Sequence, residues 1–331
     1  GAGHETVEAA GKGRPIVRQT RAGVGHELSV IVAGQQVVDK GIVAEVKVNG
    51  TDKVHAYSLD YDEYVEFGLQ EEDKPQQSWA CYIFGVCRET MKRGGKVEGF
   101  DTVFAGDVPL GAGLSSSAAL ESTFAFALNY LFNNKIDKFE LAKIGQATEH
   151  NYCGVNCGIM DQFIISVGKE KTAIVLDCNT LEYSYAPLEL GDYRFVVMNT
   201  NKQRRLADSK YNERRTQCEE ALRILQDNGI KINALCQLTP AQWEDCKKFI
   251  TDETIAKRAR HCVHENQRVL DAVEALKSGD LAKLGSLLNQ SHKSLDEDYE
   301  VTGIELNTLA SASQKQEGCL GARMTGAGFG G

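Results

Sequence analysis

Pro109-Leu110-Gly111-Ala112-Gly113-Leu114-Ser115-Ser116-Ser117-Ala118 follows a short strand-like run, Phe100 to Ala105, and opens a long apolar stretch. Past it, Leu120, Phe124, Ala127, Leu128 and Leu131 recur at helical spacing, which predicts a helix over Ala119 to Phe132. Glycines let the backbone approach an anion closely and take turns that L-residues resist. Serines suit the cap of the helix that follows. The first N–H groups of such a helix have no partner within it, and the macrodipole is positive there. Strand, Gly/Ser turn and helix N-terminus in this order form a seat for phosphate. A generic Gly-x-Gly loop with serines is more often plain helix punctuation. The string is not a Walker A loop, since Gly-Lys-Ser/Thr does not occur. Nor is it a dinucleotide fingerprint, since the Gly-x-Gly-x-x-Gly spacing is not met.

Outward from this loop, the upstream residues are β-rich. Ile42 to Val48 reads as a strand, Asn49-Gly50 as a hairpin turn, and Val54 to Leu59 as the returning strand. Pro15 to Val38 has no assignable apolar period. Trp79 to Arg93 reads as a helix with Trp79, Tyr82, Ile83, Val86 and Met91 roughly on one face. Downstream, Ala173 to Leu176 and Phe195 to Met198 read as buried strands. Charged amphipathic stretches predict helices over 210–226, 256–277, 281–293 and 304–316. The change from mixed to helical pattern divides the chain into domains 1–188 and 189–331, with a boundary near 185–192. No internal repeat or low-complexity tract occurs.

The chain has 331 residues, room for two ordinary domains, and its 42% hydrophobic content lies in the globular range. Lys and Arg number 37 against 46 Asp and Glu, a net charge of −9. That field repels a phosphate backbone and argues against nucleic acid as a general partner. A local pocket can oppose it, so a nucleotide is not excluded. The ten cysteines are scattered, with no Cys-x-x-Cys pair, which fits a reducing compartment. No window offers the roughly 18 apolar residues of a membrane span, and Gly1 to Arg21 lacks the apolar centre of a signal peptide. A cytoplasmic location is expected.

A second constellation runs from Glu149-His150-Asn151-Tyr152-Cys153 through Cys157-Gly158-Ile159-Met160-Asp161-Gln162. Two carboxylates bracket a histidine and two cysteines. Zinc held by His150, Cys153 and Cys157 is one chemistry for such a set, but the spacing is unusual and no fourth ligand is evident. Free cysteines are more often apolar filler.

Taken whole, Pro-x-Gly-x-Gly-Leu-Ser-Ser-Ser-Ala resembles the phosphate loop of the GHMP small-molecule kinases. Cys-Gly-x-x-Cys-Gly-Ile-Met-Asp-Gln is similar to the segment that carries the catalytic aspartate in their galactokinase branch. The resemblance covers roughly Asp39 to the end. It implies an α+β, two-lobed GHMP kinase fold, with an N-terminal mixed α/β nucleotide-binding lobe and a C-terminal ferredoxin-like α+β lobe. It implies transfer of the ATP γ-phosphoryl group, with Mg2+, to the anomeric hydroxyl of galactose. The partner expected is a small sugar, with neither nucleic acid nor membrane, and the working unit a monomer.

Carried over residue by residue, Asp161 faces the attacking hydroxyl and Gly158 lines the sugar site. Ser117 and Glu149 hold the metal. Gly111, Ala112, Gly113, Leu114, Ser115, Ser116 and Ser117 cradle the phosphates. Ala207 to Arg215 matches the segment whose tyrosine touches the sugar, here Tyr211. Trp79 matches a tryptophan that packs on adenine, although a lone tryptophan is more often core, and Ser58 a nucleotide-contacting serine. Gly321 to Gly331 is similar to the third, Gly-rich GHMP motif. Arg14 matches an arginine near the γ-phosphate and the aspartate.

Two departures stand out. After Gly13-Arg14 the galactokinase signature Gly-Arg-x-Asn-Leu-Ile-Gly-Glu-His-x-Asp-Tyr does not continue. The end at Gly331, inside a family loop, predicts a second lobe without an edge strand and a covering helix. Two alternative functions follow: a non-catalytic nucleotide- and sugar-binding relative, or a kinase for a related sugar such as N-acetylgalactosamine.

Overall fold

The computed structural model describes residues 16–21, 28–35, 40–70, 72, 74–108, 115–178, 180–202 and 207–329. They form two compact units, which meet in the chain between Glu170 and Lys171. This boundary precedes the expected 185–192 because the strands that follow it pair with each other and the second of them, ending at Pro187, contacts the helix Glu253–Ser278 of the second unit.

In the first unit, six strands form one sheet: β1 (Ile16–Arg21), β2 (Leu28–Gln35), β3 (Gly41–Val48), β4 (Lys53–Ser58), β5 (Glu63–Gly68) and β6 (Phe100–Gly106). Their order is β1-β2-β3-β6-β4-β5. All pairs are antiparallel except β4–β6. Along β3, Ile42, Ala44 and Val46 are buried while Val43 and Glu45 are exposed, the period-two alternation of a one-sided sheet. The covered face meets α1 (Ser78–Lys92) and α2 (Ser116–Leu131), and the core joins Phe67, Phe84, Phe100, Phe104, Phe124 and Leu128. Behind them lie α3 (Lys138–Thr148) and α4 (Met160–Val167).

Two expectations change here. β1 and β2 occupy the stretch in which no apolar period could be assigned. β2 runs Leu-Ser-Val-Ile-Val-Ala-Gly-Gln without alternation, and a backbone ladder on both of its sides defines it instead. The strand after Asn49-Gly50 does not return onto β3. β6 lies between them, and the Asn49 side chain organises a wider arch: it donates to the Lys53 carbonyl (3.1 Å) and Asp101 (2.8 Å) and accepts from the Thr51 N–H (3.0 Å).

In the second unit, β7 (Thr172–Leu176) and β8 (Tyr183–Pro187) make a two-stranded antiparallel sheet. The rest is α5 (Ala207–Asp227), α6 (Pro240–Cys246), α7 (Glu253–Ser278), α8 (Leu281–Glu297) and α9 (Ile304–Gln314). Among the described residues no larger, ferredoxin-like sheet forms. Caps set the helix starts. Asp252 accepts from the Ile255 N–H, Asp280 from Lys283, and Thr239 and Gln242 form a capping box ahead of Pro240. Ala221, Leu225, Leu235, Trp243, Ala259 and Val263 form its core. Arg258, 2% exposed, donates to Gln217, the Asp298 carbonyl and Glu300. Arg214 donates to the carbonyls of Tyr299 and Glu300. Phe195 to Met198, expected as a buried strand, is neither: it pairs with no strand among the described residues, and Val196 is 75% exposed. Among the described residues no helix is long and apolar enough to cross a membrane.

Candidate active site

Ser115 stands at the N-cap of α2 in the left-handed region, φ 54° and ψ 47°, which a residue with a Cβ adopts at a cost. This geometry corrects the expectation that a serine caps the helix. The Ser115 side chain makes no cap bond to α2, and its hydroxyl instead donates to Asp161 Oδ2 at 2.5 Å. The first N–H groups of such a helix have no partner within its own ladder, which suits this start to an anion. Ser116 and Ser117 follow, half-buried, in the first turn. Gly111, Ala112, Gly113 and Leu114 lie outside the described residues, as does Arg14.

Asp161 arrives from the other side. Asp137 caps α3 by accepting from the Phe139 and Glu140 N–H groups. At its far end the helix widens into a π-turn, Glu149–Cys153, which Gly154 ends at φ 75° with its N–H returned to the Glu149 carbonyl. Such turns cluster at functional sites because they re-aim a side chain within a helix. Glu149, at the head of this one, is 6% exposed. The turn is anchored to α1. Asn151 donates to Glu89 (3.0 Å), and a Cβ on Gly85 would come within 2.9 Å of the Tyr152 ring. Burial pushes the Glu89 carboxyl up, but hydrogen bonds from Lys92, Arg93 and Asn151 outweigh it and hold the group below the usual range.

The following loop is pinned at one carbonyl. His150 Nε2 (2.8 Å) and Gln146 Nε2 (3.3 Å) both donate to Cys157 O. His150 is thus committed to the backbone. Burial pushes the Cys157 thiol up to about 12, with the charges of Glu149 and Glu121 adding, and Cys153 rises for the same reasons. Thiols so held are neutral and poor metal ligands. Among the described residues no group of three or more His, Cys, Asp or Glu could hold a metal ion.

Beneath these residues lies a carboxyl that the sequence reading did not single out. Glu121, one turn after Ser117 on the same face of α2, has no exposed surface. Gln162, next to Asp161 and 1% exposed, donates to Glu121 Oε2 at 3.1 Å. Burial raises the Glu121 carboxyl well above its ordinary value, and the charges of Glu149 and Asp161 push the same way. One signal was available, a lone acid within Ala-Ala-Leu-Glu-Ser-Thr-Phe, an otherwise uncharged helix face. Ser117 offers a hydroxyl, and Glu149, whose charge reaches Glu121, offers a carboxylate. An oxygen-only pair completed by phosphate oxygens and water fits magnesium.

The remaining expected residues fall in three places. Gly158 is exposed, and a Cβ there would meet nothing within 4 Å, so the surface beside Asp161 is open. Ser58 and Trp79 come together around Glu63. Ser58 is its register partner across β4–β5, and the Trp79 indole N–H donates to Glu63 Oε2 at 2.7 Å. Ser58 is wholly buried, and its hydroxyl has no partner among the described residues. Trp79 packs against Phe104 with ring centroids 5.4 Å apart and is 4% exposed, so only an edge is open to a base. Tyr211 stands half-buried on α5 of the second unit.

Comparison with known proteins gives two family matches: the GHMP kinases N terminal domain over residues 81–169, and GHMP kinases C terminal over 272–331. The chain is 50% identical over 295 residues to a galactokinase of Clostridium acetobutylicum, covering 88% of this chain and 75% of the relative. It is 48% identical to a galactokinase of Fusobacterium nucleatum, covering 89% and 77%. Among solved structures, Lactococcus lactis galactokinase complexed with galactose superposes with a TM-score of 0.86 at 44% identity, covering 92% of this chain and 78% of that one. A Methanococcus jannaschii mevalonate kinase, 17% identical with a TM-score of 0.52, shares the fold.

Proposed function

Because the chain belongs to the galactokinases of the GHMP kinase family, we propose that it transfers the γ-phosphoryl group of ATP to the anomeric hydroxyl of galactose, yielding galactose 1-phosphate and ADP. The observation that carries this reading is the contact between Ser115 and Asp161, which ties a proton acceptor to the N-terminus of α2. Phosphate at the helix start and hydroxyl at the carboxylate is the arrangement that phosphoryl transfer requires.

In this reading the N–H groups of α2's first turn and of residues 111–114 bind the phosphates. Ser115 fixes one oxygen of Asp161, and the other orients the sugar hydroxyl and takes its proton as the oxygen–phosphorus bond forms. Gly158 leaves the sugar room, and Arg14 offsets charge on the transferring group. The Trp79 edge borders the base, and Ser58, wholly buried, lies behind it beside Glu63. Ser117 and Glu149 would hold magnesium, which when bound neutralises charge on the phosphate oxygens. The ten free cysteines fit a reducing, cytoplasmic location.

A coupled ADP-release assay over a sugar panel tests the proposal. Turnover with galactose is the expected outcome, and Asp161→Ala should lower kcat by about 10²–10⁴-fold. Turnover only with N-acetylgalactosamine would reassign the acceptor. MgATP binding without any turnover would make the chain a binding protein.

A further inference from the structure

We propose that Glu121 and Gln162, neither of which touches substrate, form a buried clamp that positions Asp161 for the transfer. The inference rests on the galactokinase reading for its kinetic consequences and on geometry for its substance.

Asp161 lies in the first turn of α4, and Ser115 and Glu121 both stand on α2. Ser115 holds the Asp161 carboxylate directly. Six residues further along, the Gln162 amide donates to Glu121, so the residues adjacent in sequence on α4 each bond to α2 or its N-cap. Two bonds at different depths fix both the separation and the rotation of α4's first turn, where one bond would leave a hinge. The deeper bond is wholly enclosed. Glu121 is 0% and Gln162 1% exposed, and water does not compete for it. α3 supplies the enclosure. A Cβ on Gly145 would lie 2.8 Å from Gln162 Cγ and 3.2 Å from Glu121 Oε2, so the absence of a side chain there is what admits the pair. The Gln162 carbonyl accepts from Ser166 (2.9 Å), which continues the restraint along α4.

A carboxyl buried in an apolar helix face is destabilising relative to a packed hydrocarbon of the same shape. Packing alone does not explain a glutamate at this position, whereas placing Asp161 to within a fraction of an ångström does, because a displacement of about 1 Å at a reacting group can slow a reaction of this kind roughly 10²-fold.

The test uses the full chain, with kcat, both KM values and melting temperature measured together. Glu121→Leu and Gln162→Leu each remove one end of the clamp. Each is expected to lower kcat by about 10–100-fold while the KM values for galactose and MgATP stay within about 3-fold. The double variant is expected to be no slower than the worse single one, since both break one contact. Glu121→Gln keeps a carbonyl acceptor for Gln162 and should restore kcat to within a few-fold of the parent. Gly145→Ala, which improves helix propensity, should still lower kcat by displacing the pair. Unchanged kcat in Glu121→Leu or Gln162→Leu, additive losses in the double variant, or a Glu121→Gln variant as slow as Glu121→Leu would overturn the clamp. Should Glu121→Leu fail to fold, Gln162→Leu carries the same test from the α4 side. Crystal structures of the parent and of Gln162→Leu separate this inference from the functional one. A Ser115–Asp161 separation beyond hydrogen-bond reach in the variant supports positioning even if the parent shows no turnover with galactose. An unmoved Asp161 refutes positioning even if the parent is fully active.

Discussion

Ser115 combines two properties that substitution can separate. Its hydroxyl holds Asp161, and its backbone sits at φ 54°. Ser115→Ala loses the hydroxyl and keeps the strain, while Ser115→Gly loses the hydroxyl and relieves it. Both should slow turnover by roughly 10-fold, the worth of a hydrogen bond to a charged group. Ser115→Gly should nonetheless melt above Ser115→Ala, because the left-handed region costs a non-glycine residue about 1–2 kcal/mol, only partly offset by glycine's greater unfolded entropy. Equal melting temperatures would mean that the strain is absorbed elsewhere. The sequence placed a Gly/Ser turn ahead of a helix and set Asp161 beside a sugar hydroxyl, while the structure sets Asp161 against the Ser115 hydroxyl. What the string could not disclose is which serine turns away from the helix it begins, because backbone handedness at one residue leaves no compositional mark. Glu121 was hidden for a different reason. An acid inside a helix reads as solvent-facing until the partner that buries it, Gln162, is brought alongside by a second helix.

Helices were the legible elements, since α1, α2, α5, α7, α8 and α9 carry apolar residues at helical spacing and fall within a few residues of the expected ranges. Strands were less so. Phe195 to Met198 is apolar enough for a buried strand, yet four apolar residues in a row specify no partner, and Phe195 is 59% exposed. This exposed stretch predicts that the chain of residues 1–331 binds a hydrophobic dye in its folded state. Replacing Val196 with Lys and Phe195 with Ser should reduce the signal without lowering the melting temperature.

On α7, His261 stacks on Tyr299 with ring centroids 4.5 Å apart and bonds Ser294 at 3.0 Å. Burial lowers it from an ordinary 6.5 to about 4. The unfolded chain takes up a proton there below pH 6.5 while the folded chain does not until near 4, so stability is complete above pH 6.5 and declines as pH falls toward 4. The slope is about 1.4 kcal/mol per pH unit across that window. His264 and His292, also lowered by burial, add in the same direction. His261→Phe should flatten the fall in melting temperature between pH 7 and pH 5. An equal fall in parent and variant would remove His261 from this account.

For the molecule as a whole, ligand linkage separates binding from chemistry. MgATP at about a hundred times its Kd should stabilise the chain by roughly 2.7 kcal/mol. Asp161→Ala should keep that shift in full while losing turnover, and loss of both together would move Asp161 from chemistry to nucleotide binding. The arch over β6 bears on a different property, the sequence of events by which the sheet is assembled. The backbone of Asn49 to Lys53 bridges β3 and β4 over the start of β6, where a Cβ on Gly99 would meet Asn49 Oδ1 and the Lys53 carbonyl at 2.6 Å. As the chain leaves the ribosome, β3 and β4 emerge together, joined by a strong turn signal, well before the strand that belongs between them. They are free to zip up as a local hairpin, and such a hairpin is off-pathway, because it must part again to admit the latecomer. Refolding of this unit is therefore expected to wait on that insertion, and a substitution at the exposed Gly50 that weakens the local turn should speed it, as stopped-flow refolding would measure.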